Sequence, residues 1–135
     1  MKAFIDTNVL IRHLTQDPPS QGAAATSFLA AAHELLLTDL VLAETVYVLE
    51  SFSKVSRREV AALARSVVAF PSITTDDEPL LLRAIEVYET ERVDFAEAYL
   101  VACAERTGVT TIASFDRSID RMRTITRIDP RTTHE

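Results

Sequence analysis

Short apolar runs alternate along this chain with longer stretches whose apolar residues recur every three or four positions. The first kind of pattern reads as strand and the second as helix. Five runs are expected strands: KAFID (2–6), ELLLT (34–38), SITT (72–75), VTTIAS (109–114) and TITRID (124–129). Helical spacing fills the intervals. NVLIRHL (8–14) reads as a short helix with Thr7 as its N-cap. DPPSQG (17–22) reads as a break, and the alanine-rich AAATSFLAAAH (23–33) as the next helix. LVLAETVYVLESF (40–52) is apolar at Leu42, Val46 and Leu49, with Asp39 placed to cap it. VSRREVAALARSVVAF (55–70) opens on the capping-box pattern Ser56-x-x-Glu59 and is stopped by Pro71. DEPLLLRAIEVYETER (77–92) carries Pro79 in its first turn, and DFAEAYLVACAERTG (94–108) ends on Gly108, suited to a left-handed C-cap. DRSIDRM (116–122) makes one or two helical turns.

Strands separated by helices imply parallel pairing through right-handed crossovers. The expected fold is α/β: a three-layer α/β/α sandwich around a mostly parallel central sheet of four to five strands. The 135 residues suit one domain over 1–130, with 131–135 as a frayed tail.

Composition narrows the class. The chain is 47% hydrophobic and 25% charged, as in ordinary globular proteins, and no apolar run approaches eighteen residues. The opening MKAFIDTN reaches an acid at once, so no signal peptide and no membrane association are expected. A single cysteine, Cys103, precludes an internal disulfide and suits the reducing cytoplasm. The histidines His13, His33 and His134 are scattered, without zinc-ligand spacing. The net charge of −6 argues against indiscriminate nucleic-acid binding, but five arginines (117, 121, 123, 127 and 131) mark the last twenty residues.

The chemistry lies in the acids. Sites on parallel sheets form beyond the carboxyl ends of the strands. Asp6 ends the first strand, Asp116 follows the fourth, Glu44 lies early in the helix after the second, and Asp94 and Glu97 open the helix before the fourth. Any one of them alone reads as a helix cap or a solvent-facing acid. Together they read as a set that the fold gathers. Two carboxylates about 5 Å apart repel by roughly 3 kcal/mol at an effective dielectric of 20. Such a set must bind a cation or stay partly protonated. An all-oxygen set without Cys or His favours Mg²⁺ or Mn²⁺, and the chemistry suggested is phosphodiester hydrolysis.

The blocks FIDTNVLIRHL, LAETVYVL, VDFAEAYLVACAERTG and TTIASFDRSID resemble, in order and spacing, those of the PIN-domain family, and more narrowly the VapC-type toxin ribonucleases of toxin–antitoxin pairs. The resemblance implies Mg²⁺- or Mn²⁺-dependent endoribonuclease activity on RNA, a cognate antitoxin and a homodimer. It matches Asp6, Glu44 and Asp116 to the first, second and fourth acids. The third acid usually opens an Asp-Ala pair; here the block reads DFAEA, so Glu97 takes that place and Asp94 is the upstream acid. Both remain candidates. Asn8 and Ser114 match site-orienting positions, and Asp120 is a further acid nearby. Arg12, Arg117 and Arg121 are candidate RNA contacts.

Other residues carry plainer readings. Cys103 reads as a small helical core residue, and Tyr47 and Tyr99 as core or dimer contacts. A competing function is a catalytically degenerate PIN-like or receiver-like binding module; a receiver needs a lysine after a late strand, and Lys2 and Lys54 are both misplaced. A haloacid-dehalogenase-type phosphatase would need an acid where Asn8 stands.

Overall fold

Residues 1–31, 33–52 and 54–132 are described in the computed structural model, which divides into two units, Met1–Glu78 and Pro79–Glu135. The end of the expected tail, 133–135 with His134, lies outside the described residues.

In the first unit, β1 (Lys2–Phe4), β2 (Glu34–Leu36) and β3 (Ile73–Thr74) pair in that order, all parallel. Ala3 stands opposite Leu35, and Leu35 opposite Ile73. Leu35 is wholly buried, as are Leu10, Leu42 and Val60 from the helices. Each such leucine contributes about 1.5–3 kcal/mol by leaving water. The intervening chain forms α1 (Thr7–Thr15), α2 (Pro19–Ala30), α3 (Asp39–Ser51) and α4 (Arg57–Val68). The buried positions of α3 are Leu42, Thr45, Val46 and Leu49, one stripe at helical spacing.

Two capping assignments are corrected. Asp6, not Thr7, caps α1: Asp6 is extended and its Oδ1 accepts the Thr7 N–H at 2.9 Å. Thr7 is the first helical residue, and its buried hydroxyl has no hydrogen-bond partner among the described residues. Likewise Thr38, not Asp39, caps α3, accepting the Val41 N–H at 3.1 Å; Asp39 lies in the first turn. Ser56 caps α4 as its motif implies, accepting the Glu59 N–H at 3.1 Å.

The third difference is α2, which begins at Pro19, inside the expected break. Proline is well suited to the first helical position, where its missing N–H costs nothing. The turn from α1 is held by Gln16, whose backbone is left-handed at φ 56°. Its Nε2 donates to the His13 carbonyl at 2.7 Å and to Thr26 Oγ1 at 2.9 Å. Gly22 packs against this turn so closely that an added Cβ would lie 2.6 Å from Gln16 Cα and 3.0 Å from the Arg12 carbonyl oxygen.

The second unit holds α5 (Glu78–Glu91), α6 (Phe95–Thr107), β4 (Thr111–Ala113), a 3₁₀ turn (Arg117–Arg121) and β5 (Thr126–Ile128). β4 and β5 pair in parallel, with Ile112 opposite Arg127. Asp94 caps α6 and Gly108 ends it at φ 79°, both as expected. At the chain's end, the Thr132 N–H donates to the Asp129 carbonyl at 3.0 Å. The protein is α/β with parallel strands. All five expected strands are present, each two or three residues long and shorter than its apolar run, and they pair as a ladder of three and a ladder of two. Among the described residues no helix is long and apolar enough to cross a membrane. Cys103 is half-buried, as is Tyr99, but Tyr47 is exposed on α3 and so is not core.

An ion pair ties α5 to α6. Arg83 donates from Nε and Nη2 to the two oxygens of Glu105, at 2.7 and 3.0 Å, and Thr124 also donates to Glu105. The Arg83 hydrogen bonds hold the Glu105 carboxyl below its ordinary value. A carboxyl depressed in the folded state stabilises above its unfolded pKa and loses that contribution as pH falls through the folded one. Arg83→Met is therefore expected to cost about 1–2 kcal/mol at pH 7 and close to nothing well below the carboxylate range. Urea unfolding of both proteins at the two pH values measures this; an equal cost at both would rule the ion pair out as the cause.

Candidate metal and nuclease site

In the first unit, parallel pairing places the carboxyl ends of β1 and β2 on one edge of the ladder. Asp6 leaves that edge from β1, and α3 leaves it from β2 carrying Glu44 in its second turn. Both acids are exposed, as is Asn8 in the first turn of α1. Capping uses only Oδ1 of Asp6; no hydrogen bond reaches its second oxygen among the described residues. Arg12 follows Asn8 by one helical turn and donates to the Asp17 carbonyl at 2.9 Å. With Asn8, Val9, Gln21 and Phe28 it lines an open groove of about 480 Å³ between α1 and α2.

The second unit brings Asp94 and Asp116 within electrostatic reach of Glu97. Asp94 Oδ1 accepts the Glu97 N–H at 2.8 Å, and Asp116 Oδ1 accepts the Ser118 N–H at 2.8 Å. The Ser114 hydroxyl accepts the Asp116 N–H at 2.9 Å and so fixes the turn that presents Asp116. Glu97 behaves differently. In a capping box its carboxylate would reach back to the N–H of the capping residue. Here it makes no hydrogen bond among the described residues, and its Oε2 is buried without a partner there. Burial pushes the Glu97 carboxyl above its ordinary value, and the charges of Asp94 and Asp116 push it further. Asp116 is held below its ordinary value, chiefly by its hydrogen bonds to Ser118.

A buried, unpartnered carboxylate oxygen beside two more acids is a local excess of negative charge, and its all-oxygen donor set suits a hard divalent cation. As the side chains stand, no group of three His, Cys, Asp or Glu among the described residues is drawn close enough to hold a metal ion.

The arginines divide. Arg121 donates from Nη1 to the Glu91 carbonyl at 2.6 Å, near the end of α5. Arg117 is exposed and makes no hydrogen bond or ion pair among the described residues. Arg127, only 13% exposed, holds both oxygens of Asp120, at 2.8 and 3.2 Å, and donates to the Ser114 carbonyl at 3.0 Å. Asp120 is thus occupied by an internal partner. The alternating pattern of the fifth strand gave no sign that Arg127 would brace the Ser114–Asp116 turn; the register of β4 on β5 puts it there.

No curated protein sequence matches the chain significantly. A family model described as the PIN domain matches residues 3–125, which takes in most of both units. The chain therefore belongs to the PIN-domain family, whose domains are of nuclease type and generally bind divalent metals.

Proposed function

We propose that this protein is a divalent-metal-dependent endoribonuclease and the toxin of a toxin–antitoxin pair, acting in the cytoplasm as a homodimer restrained by its cognate antitoxin. The observation that carries the metal-dependent reading is Glu97: a carboxylate half-buried near Asp94 and Asp116 whose Oε2 has no partner among the described residues. A carboxylate oxygen buried without a partner costs stability, so the fold alone does not account for it. In this reading Asp6 and Glu44 of the first unit and Glu97 and Asp116 of the second, with Asp94 at the cap of α6, are the residues that would supply carboxylates to Mg²⁺ or Mn²⁺. Asp94 spends one oxygen on the cap of α6, whereas Glu97 has both carboxylate oxygens to offer, which favours Glu97 as the third ligand.

The reaction is hydrolysis: a water oxygen bonds to phosphorus as the bond to the leaving oxygen breaks. The bound cation supplies Lewis-acid polarisation of a phosphate oxygen and a lowered pKa for water. The chain's own residues keep the acids in place. Ser114 and Arg127 brace the turn carrying Asp116, and Arg117 offers an uncommitted cation to a phosphate. On α3, Leu40 and Tyr47 stand exposed on either side of Glu44, which supports a subunit contact along that helix.

The test is cleavage of single-stranded RNA with Mg²⁺ or Mn²⁺ and with EDTA, paired with calorimetric titration by Mn²⁺. Metal-dependent cleavage is expected. Mn²⁺ heat is expected in the wild type, lost in Glu97→Gln and only weakened in Asp94→Asn. Absence of binding at millimolar Mn²⁺ would favour the catalytically degenerate module. Equal binding by wild type and Glu97→Gln would remove Glu97 from the ligand set. A small antitoxin-like protein encoded in the adjacent reading frame is expected on the toxin reading.

A further inference from the structure

We propose that Phe115, backed by Arg131, is a stacking platform that holds one nucleobase of single-stranded RNA beside Asp116. The inference rests on the nuclease reading above and adds the subsite that grips the substrate.

Phe115 lies between β4 and the 3₁₀ turn, immediately before Asp116, and 61% of its surface is exposed. The fold gains little from a large apolar ring left in water. The ring is nevertheless not loose surface: the Arg131 guanidinium lies 5.4 Å from its centroid, within cation–π range. Arg131 is itself fixed. Asp129 accepts from its Nε at 3.0 Å, from its Nη2 at 2.6 Å and from its backbone N–H at 2.9 Å. Asp129, Arg131 and Phe115 therefore form a pre-organised stack that ends in an exposed aromatic surface next to a candidate catalytic acid.

The occupant follows from charge. Residues 115–131 carry five arginines against three aspartates in a chain of net charge −6. Arg117 and Arg123 there are exposed and make no ion pair among the described residues. A protein partner would call for a contiguous apolar patch. A lone aromatic set among arginines instead suits a chain of bases and phosphates. Stacking on an aromatic ring accepts any base, while arginines take the flanking phosphates.

The chain contains no tryptophan, so Phe115→Trp installs a unique fluorophore. In the double variant Phe115→Trp/Asp6→Asn, a single-stranded RNA dodecamer is expected to quench the tryptophan saturably. An abasic dodecamer of equal length is expected to leave it unquenched. In cleavage assays, Phe115→Ala and Phe115→Leu should each raise KM roughly tenfold, the order of one lost base stack, with kcat within about twofold. Phe115→Tyr should restore the wild-type KM, which a merely apolar role would not require. Wild-type KM in Phe115→Ala, or no quenching by an RNA that the wild type cleaves, overturns the platform and leaves the nuclease reading standing. A tryptophan signal that follows protein concentration without RNA would assign the ring to self-association and also overturn it. If the wild type neither binds nor cleaves RNA, both readings fall together.

Discussion

Asp6→Asn is expected to reduce RNA cleavage by about a hundred- to a thousandfold, the order of losing one charge-stabilising group, while leaving thermal stability nearly unchanged. The separation follows from the two oxygens of Asp6. Oδ1 accepts the Thr7 N–H and starts α1, a task that asparagine performs about as well as aspartate. On the proposed metal-dependent reading the second oxygen is the one offered to the cation, and asparagine there brings an amide without charge. Asp6→Ala should lose both functions: the same fall in cleavage, plus about 0.5–2 kcal/mol of stability from the missing cap. Cleavage rates and melting temperatures for the three proteins make the comparison. Full activity in a folded Asp6→Asn protein would remove Asp6 from the chemistry.

The second large effect is one of sign. Gly22 lies inside α2, where helix propensity alone predicts that alanine would stabilise by about 1 kcal/mol. We expect Gly22→Ala to destabilise by about 1–3 kcal/mol instead, as overpacking does. The added Cβ would stand 2.6 Å from Gln16 Cα, a backbone atom that no rotamer change can move aside. Relief requires α2 to shift from the α1 turn, at the expense of the Gln16 bonds to Thr26 and to the Gly22 carbonyl. Chemical denaturation decides the sign. A more stable Gly22→Ala protein would mean that the α1–α2 turn yields easily.

Asp6 also shows that capping and metal binding need not exclude each other. Asp6, Asp94 and Asp116 are all N-caps. Each does so through one oxygen, so the structural task leaves a second oxygen for another. Glu97 is where the two readings part, because a capping-box glutamate should return to the cap and this one does not. The spacing Asp94-x-x-Glu97 is identical in both cases, and only burial distinguishes them.

Local pattern was enough for the order and type of the elements, the parallel α/β class, the caps at Ser56, Asp94 and Gly108, and the list of acids at strand ends. These depend on residues within one or two turns of each other, where periodicity and backbone preference dominate. Tertiary structure alone decided the rest. It let α2 begin at Pro19 because Gly22 could approach the α1 turn, and it committed Asp120 of the 3₁₀ turn to Arg127 of β5. It also buried one oxygen of Glu97 and set Arg131 over Phe115. Each of those is a distance between groups that chain order leaves free, set only when packing and strand register bring them together.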